Sequence, residues 1–507
     1  MANAINIPKT HLIMGLSLPL AVLLGYFVAE PMQLGSMAVV VVVLAMLALP
    51  LMMRWYYGLL VFAWNAALAP AFLPGRPYFW AMMALLGLVF AVVNRAVSAD
   101  ARFVIEPSIT KALLALTAVV VVTGMITGGF GVHMLGSGHY GGKHYFYFLA
   151  AVAGYFVFTS RRIPPQRAGF YVALFYLSGL TYALSEVATR AGTKLEPLLL
   201  FVAPASVARD TGIATANSMG YARMFGLWVV GAAIYSYMVA RFGIRGVLDL
   251  KRPWRLLLVV AALTAGMLSG FRSFVLLTAI TLAIVFWLEG LHRTRYLPAL
   301  LVVALLGAAF VLPQAEKLPL LVQRSLSFLP GKFDWMARES ASGSMEWRLQ
   351  MWRDVLPEVP KYLFMGKGWT YDARDYAMSV EMGEAGNPLA GVILVGDFHN
   401  GPLSVLIPFG IYGAITFAWF LAVGLRVLYR NWKFGSPALH SVNALLLAAF
   451  AAQIVFFCFF FGSMYSDMVI FAGILGLGVA LNGAGASPVP AEQPATGMEL
   501  NTEYIKA

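Results

Sequence analysis

A single cysteine, Cys458, stands among 507 residues. No intramolecular disulfide can form, so segments outside the helical core are held by packing and hydrogen bonds alone. Charge is scarce too: Asp, Glu, Lys and Arg make up 11% of the chain, against roughly 25% in an ordinary soluble domain. With 60% hydrophobic residues and a mean hydropathy of +0.78, a soluble globular fold is excluded. Also missing are the phosphate loop of nucleotide hydrolases, the His-Glu-x-x-His pair of zinc hydrolases and the Gly-x-Ser-x-Gly elbow of serine hydrolases. None of those three chemistries has support here.

What the chain does contain is apolar runs of roughly 18 to 25 residues, long enough as helices to cross a hydrocarbon core of about 30 Å. A β-barrel would show shorter, alternating segments. The pattern predicts an all-α transmembrane bundle of about fourteen spans, over 12–29, 35–53, 56–73, 78–97, 111–130, 143–160, 168–189, 220–240, 255–270, 272–289, 297–313, 400–425, 438–461 and 467–482. The first run is long for a signal peptide and no small-x-small cleavage site follows it, so it reads as a membrane helix. Basic residues gather in alternate gaps: Arg95, Arg102 and Lys111; Arg161, Arg162 and Arg167; Arg241, Arg245, Lys251, Arg252 and Arg255; Arg293 and Arg295; Arg426, Arg430 and Lys433. The positive-inside rule places those gaps, and both termini, in the cytoplasm. A net charge of +12 suits anionic membrane lipids or an anionic substrate, and nucleic acid is not expected as a partner.

Four regions result: transmembrane helices over 1–313, an outward loop with short helices over 314–399, further transmembrane helices over 400–482, and a tail over 483–507. The tail lacks an apolar period and is expected to be disordered. A connector as long as the outward loop is usually functional. Within it, SMEWRLQMWRDVL (344–356) predicts a helix with Ser344 as N-cap and Pro357 as its stop. Met345, Leu349, Trp352 and Leu356 share one face, expected on the bundle or the membrane interface. Glu346, Gln350 and Arg353 share another, expected to look into a wet cavity, with Arg348 between the two. LPLLVQRSLSFLPG (318–331) reads as an amphipathic segment lying flat on the membrane. KYLFMGKGW holds a Gly-x-Gly turn.

Ionisable residues at outward span ends cost a few kcal/mol to bury and tend to mark function. Arg272, in LSGFRSFVLL, has almost no loop to relax into; it is either a helix-end arginine reaching headgroups or an anion-binding group in a cavity. Arg209 precedes a helix start rich in Asn217, Ser218 and Gly220, a setting suited to phosphate or pyrophosphate, and Arg223 lies one turn inside the same span. His399 precedes Gly401 and Pro402, so its imidazole would lie by a positive helix end that favours the neutral ring, while Asp397 could orient it and raise its pKa. The alternative is a structural histidine. His133, His139 and His144 have irregular spacing and no accompanying carboxylate; they read as a flexible outward loop, not a metal site.

Taken in chain order, RDTGIATANSMGYARM, SGFRSFVLLTA, SMEWRLQMWRDVLPEVPKYLFMGKGW and DFHNGPLSVLIPFGIYGAITF resemble the O-antigen ligase and polymerase superfamily over roughly residues 200–425. The resemblance implies a bacterial inner-membrane glycosyltransferase with its site facing the periplasm. The donor would be a glycan on undecaprenyl pyrophosphate and the acceptor a hydroxyl, on lipid A core or a lipid-linked glycan. His399 would be the base, supported by Asp397 and by Asn400 of the His-Asn pair; Arg209 and Arg272 would neutralise the leaving pyrophosphate, with Arg348 and Arg223 as further candidates. No metal or other cofactor is required, since arginines can supply the positive charge. Transfer of O-antigen to lipid A core is favoured over polymerisation of lipid-linked repeats. A flippase for a lipid-linked anion is the reading from another class; the chain shows neither the internal repeat nor the midplane clustering of polar groups that such transporters tend to have.

Overall fold

The computed structural model describes residues 21–22, 25, 52–71, 73, 75–97, 103–131, 139–191, 194–203, 223–387 and 389–483. Most of the first two expected spans, Arg209, His133 and the tail beyond residue 483 lie outside them. Leu60–Ala507 forms one compact unit and Met1–Leu59 another; every described candidate residue belongs to the larger unit.

The protein is an all-α polytopic membrane protein. Eight described helices are long and apolar enough to cross a membrane: Phe79–Ala96, Pro107–Ile126, Pro165–Arg190, Phe225–Val247, Tyr296–Lys317, Gly401–Phe434, Pro437–Phe459 and Met464–Asn482. Among the described residues the only β-ladder is a two-residue antiparallel ribbon, His139–Tyr140 with Tyr371–Asp372. Interlocked aromatics fill the bundle where Gly142–Phe158 meets Met464–Asn482: the Trp64 ring lies 5.2 Å from Trp80 and 5.0 Å from Phe158, and its indole N–H donates to the Val469 carbonyl. A Cβ on Gly473 would fall 2.1 Å from Trp64 Nε1, so only glycine admits the ring there.

Several expected boundaries move. The span expected over 56–73 is helical only to residue 63. Trp254–Met267 and Arg272–Leu288 hold 14 and 17 residues, about 21 and 26 Å at 1.5 Å per residue, short of a core of about 30 Å. The turn joining them presents Arg272 at the start of the second helix. His144, expected in a loop, is buried at the start of Gly142–Phe158 with its ring 4.1 Å from Tyr465. In the 318–331 segment, helix Leu320–Leu326 buries Val322, Gln323, Arg324 and Ser325, so it is tucked into protein and does not lie flat on a lipid surface.

Gly401–Phe434 runs 34 residues but is broken at Gly410, where φ is +62°, with Pro408 just before. A break exposes backbone groups that hydrocarbon cannot satisfy. The Gly-x-Gly segment satisfies them: Lys367 N–H donates to Ile407 O (2.8 Å), Gly368 N–H to Pro408 O (2.8 Å), and Ile411 N–H to Leu363 O (2.7 Å). Gly366 and Gly368 both adopt positive φ, +72° and +71°, and a Cβ on Gly366 would meet Pro408 O at 2.2 Å.

Gly366→Ala should therefore lower stability by about 1–3 kcal/mol, read as earlier thermal loss of helical signal in detergent. Gly307→Ala, where nothing lies within 4 Å of the added methyl, should leave the transition unchanged or slightly later. Equal transitions for the two variants would show that the close approach at Gly366 does not hold the break together.

Candidate active site

Helix Trp335–Val355 organises the site. It begins with Asp334 as N-cap, whose carboxylate accepts from Met336 N–H (2.8 Å), and not at Ser344. The Ser344 hydroxyl lies inside the helix and donates to Ser340 O. The face that packs is Trp347, Met351, Trp352 and Val355, against Leu389, Phe398, Leu403 and Ile407. Of the expected apolar stripe, Met345, Leu349 and Leu356 are exposed; Glu346, Gln350 and Arg353 are exposed as well, on the surface and not around an enclosed cavity.

His399 stands just before the Gly401–Phe434 helix with φ +48°, a left-handed conformation that few non-glycine residues adopt. Two bonds hold it there. Asn400 is the N-cap, its side-chain oxygen accepting from Leu403 N–H (3.0 Å), and Trp352 Nε1 donates to the carbonyl of Phe398 (2.9 Å). The imidazole lies between aromatic rings, 4.8 Å from Phe461 at 27° and 5.2 Å from Trp347 at 47°. Its Nδ1 is 3.6 Å from Asp397 Oδ1, too long for a hydrogen bond. Burial pushes the pKa of this ring below its ordinary value, Asp397 opposes that shift, and Arg348 adds to it. The neutral ring expected from the helix end is thus favoured chiefly for a different reason, an apolar sandwich.

The Arg348 guanidinium lies 5.4 Å from the Phe461 ring centroid, so one phenyl group contacts both the arginine and the histidine. Burial, then the charges of Arg272 and Arg223, hold the Arg348 pKa below its usual value, which places the three guanidinium groups in one electrostatic neighbourhood. Arg272 opens helix Arg272–Leu288 and donates from Nη2 to Ala341 O (3.0 Å). Arg223 lies over the Phe271 ring at 5.2 Å. Among the described residues no carboxylate lies within ion-pair distance of Arg272 or Arg348. Arg209 lies outside the described residues and is not placed.

Two supports have no signature in the sequence. Arg324 is buried and ties the turn before Arg272 to the organising helix: it donates to Gly270 O, to Ser340 Oγ (2.8 Å) and to Ser344 Oγ (3.4 Å). Its seven-residue helix is too short for a periodic pattern to reveal which side faces inward. Phe461 belongs to the turn between the last two helices. Asp467 anchors that turn, accepting from Ser463 N–H (2.7 Å) and Gln453 Nε2 (2.6 Å). Ser404 Oγ, from the helix that His399 precedes, accepts from Met464 N–H (2.9 Å). An aromatic residue among apolar neighbours gives no hint of such a role.

A neutral imidazole beside clustered guanidinium groups can accept a proton from a hydroxyl while positive charge faces an anion. A search of the curated proteins gives no match to the chain. A family model described as O-antigen ligase matches residues 257–418, a stretch that includes Arg272, Arg324, Arg348 and His399. That match, over about a third of the chain, supports a likeness to the O-antigen ligase and polymerase superfamily, whose members are membrane glycosyltransferase-type enzymes.

Proposed function

We propose that the protein is an inverting glycosyltransferase of the bacterial inner membrane that moves a glycan from undecaprenyl pyrophosphate to a hydroxyl acceptor, with ligation to lipid A core as its reaction. The observation that supports this most strongly is that His399 and Arg348 share the Phe461 ring while Arg348 feels the charges of Arg272 and Arg223. In this reading His399 takes the proton of the acceptor hydroxyl as its oxygen attacks the anomeric carbon. The carbon–oxygen bond to the pyrophosphate breaks in the same displacement, which inverts the anomeric centre. Negative charge then grows on the departing diphosphate. Fixed guanidinium groups in a water-poor recess are suited to stabilise it. Asp397 biases the ring and Asn400 fixes the helix start behind it. The site faces the periplasm in this reading, opposite the basic gaps.

The test is reconstitution with a lipid-linked donor and two acceptors, lipid A core and a lipid-linked repeat. Discrete capping of the core supports ligation; a ladder growing on the carrier would replace it with polymerisation; no transfer to either contradicts the reading. His399→Ala should cut transfer by about 10² to 10⁴ with insertion and thermal stability retained, and a normal rate would remove His399 from the mechanism. Arg272→Lys should lose on the order of 10- to 100-fold, because an ammonium cannot reproduce the planar fork.

The pH profile follows from the shifts at His399. The base works when deprotonated, so activity should persist below the ordinary histidine pKa of about 6.5 and fall only at more acid pH. Removing the Asp397 charge with Asn should move that acid limb to lower pH. Arg348→Gln should move it to higher pH. An acid limb that is unmoved in both variants would show that His399 does not set it.

A further inference from the structure

Tyr140, Tyr371 and Tyr376 form an aromatic cluster that no step of the proposed transfer uses. Tyr140 and Tyr371 oppose each other in register across the two-residue ribbon, their rings 5.8 Å apart and 15° from parallel. Tyr376, from helix Ala373–Glu384, extends the row at 6.0 Å and 29° from Tyr140, and is 52% exposed. Ring planes in contact are separated by about 3.5 Å, so near-parallel rings with centroids this far apart are offset. They tile a surface and do not stack into a column. A cross-strand pair alone is enough to stabilise the ribbon; a third, half-exposed ring from a separate helix is not needed for pairing.

The row is firmly mounted. Thr370 Oγ1 donates to Gly129 O (2.6 Å), and the Tyr145 hydroxyl accepts from Trp369 N–H (3.0 Å). Beside it stands a capping box in which Asp372 accepts from Asp375 N–H (2.7 Å), leaving carboxylate oxygens at the rim. Those carboxylates argue against a phosphate or an acidic headgroup as the occupant. A sugar ring presents a face of C–H groups, which pack on the electron-rich face of an aromatic ring. Its hydroxyls are left to meet phenol and carboxylate oxygens.

A path of contacts runs from the row to the site. Tyr371 is two residues, at most about 7 Å, from Trp369. The Trp369 ring lies 3.7 Å from where a Cβ on Gly396 would stand, and Gly396 is three residues, at most about 11 Å, from His399. We infer that the Tyr140–Tyr371–Tyr376 row is a saccharide-binding subsite that stacks a neutral stretch of the glycan chain away from the pyrophosphate. The inference rests on the glycan-transfer reading for its biological sense, though not for its chemistry.

The test uses the full chain in nanodiscs and, as probe, the water-soluble polysaccharide freed from its lipid by mild acid hydrolysis of the producing cells' lipid-linked glycan. Saturation-transfer NMR on the sugar ring protons measures binding. Wild type should bind, and Tyr376→Ala at least about fivefold more weakly at unchanged thermal stability. Tyr376→Phe should retain most of the affinity, and Tyr429→Ala, on the far part of helix Gly401–Phe434, all of it. Wild-type binding that ignores Tyr376→Ala, or no binding by wild type, overturns the subsite even if glycan transfer proceeds. Tyrosine-dependent binding by a protein that transfers glycan to neither acceptor supports the subsite and sinks the transfer reading instead.

Discussion

Like charges held close together repel, and the site end of this bundle is built around that constraint. Arg272 and Arg348 lie near enough to depress the Arg348 pKa, with Arg223 adding to the field, and no described carboxylate neutralises the first two. The fold holds them by other means. The Arg272 guanidinium is fixed to a helix carbonyl, those of Arg348 and Arg223 lie against aromatic faces, and buried Arg324 binds the turn that presents Arg272 to the helix that presents Arg348. Such an arrangement keeps a positive potential that a bound anion would relieve. Arg348 adds to the burial that chiefly disfavours a proton on the neighbouring imidazole, so the charge suited to a departing diphosphate and the neutral base suited to a hydroxyl are compatible in one site.

Backbone geometry serves the same end. Three departures from regular helix lie in and around the first turns of Gly401–Phe434: the left-handed His399, the break at Gly410, and the glycine pair at 366 and 368 that packs on that break. Each is satisfied by a specific hydrogen bond or close approach, as bilayer depth demands. Residues held in sparsely populated backbone regions concentrate at functional sites. The turn bearing Phe461 is fixed in a similar way through Asp467, so the ring that touches both Arg348 and His399 has a defined position.

The helical class and the approximate places of the described spans were legible because hydropathy over some twenty residues is a strong, local signal. Arg272 stood out as well, as a charge between two apolar runs with almost no loop between them. The start of the organising helix was not: WMARESASG lacks an apolar period, and that stretch gains support from Arg324 bonding to Ser340, a contact 16 residues away. Arg324, Trp347 and Phe461 act through contacts between distant segments, which no window along the chain can display. The lengths of the two short helices flanking Arg272 were less legible, because composition does not fix where a helix ends.

The most direct test of the central claim, that these arginines form a diphosphate site, is the affinity of the protein in nanodiscs for undecaprenyl pyrophosphate compared with uncharged undecaprenol. The diphosphate should bind at least about tenfold more tightly, or about 1.4 kcal/mol, and this preference should disappear in an Arg272→Gln, Arg348→Gln double variant that still folds. Equal affinity for the two lipids in the wild-type protein, or a preference untouched by the double substitution, would contradict it.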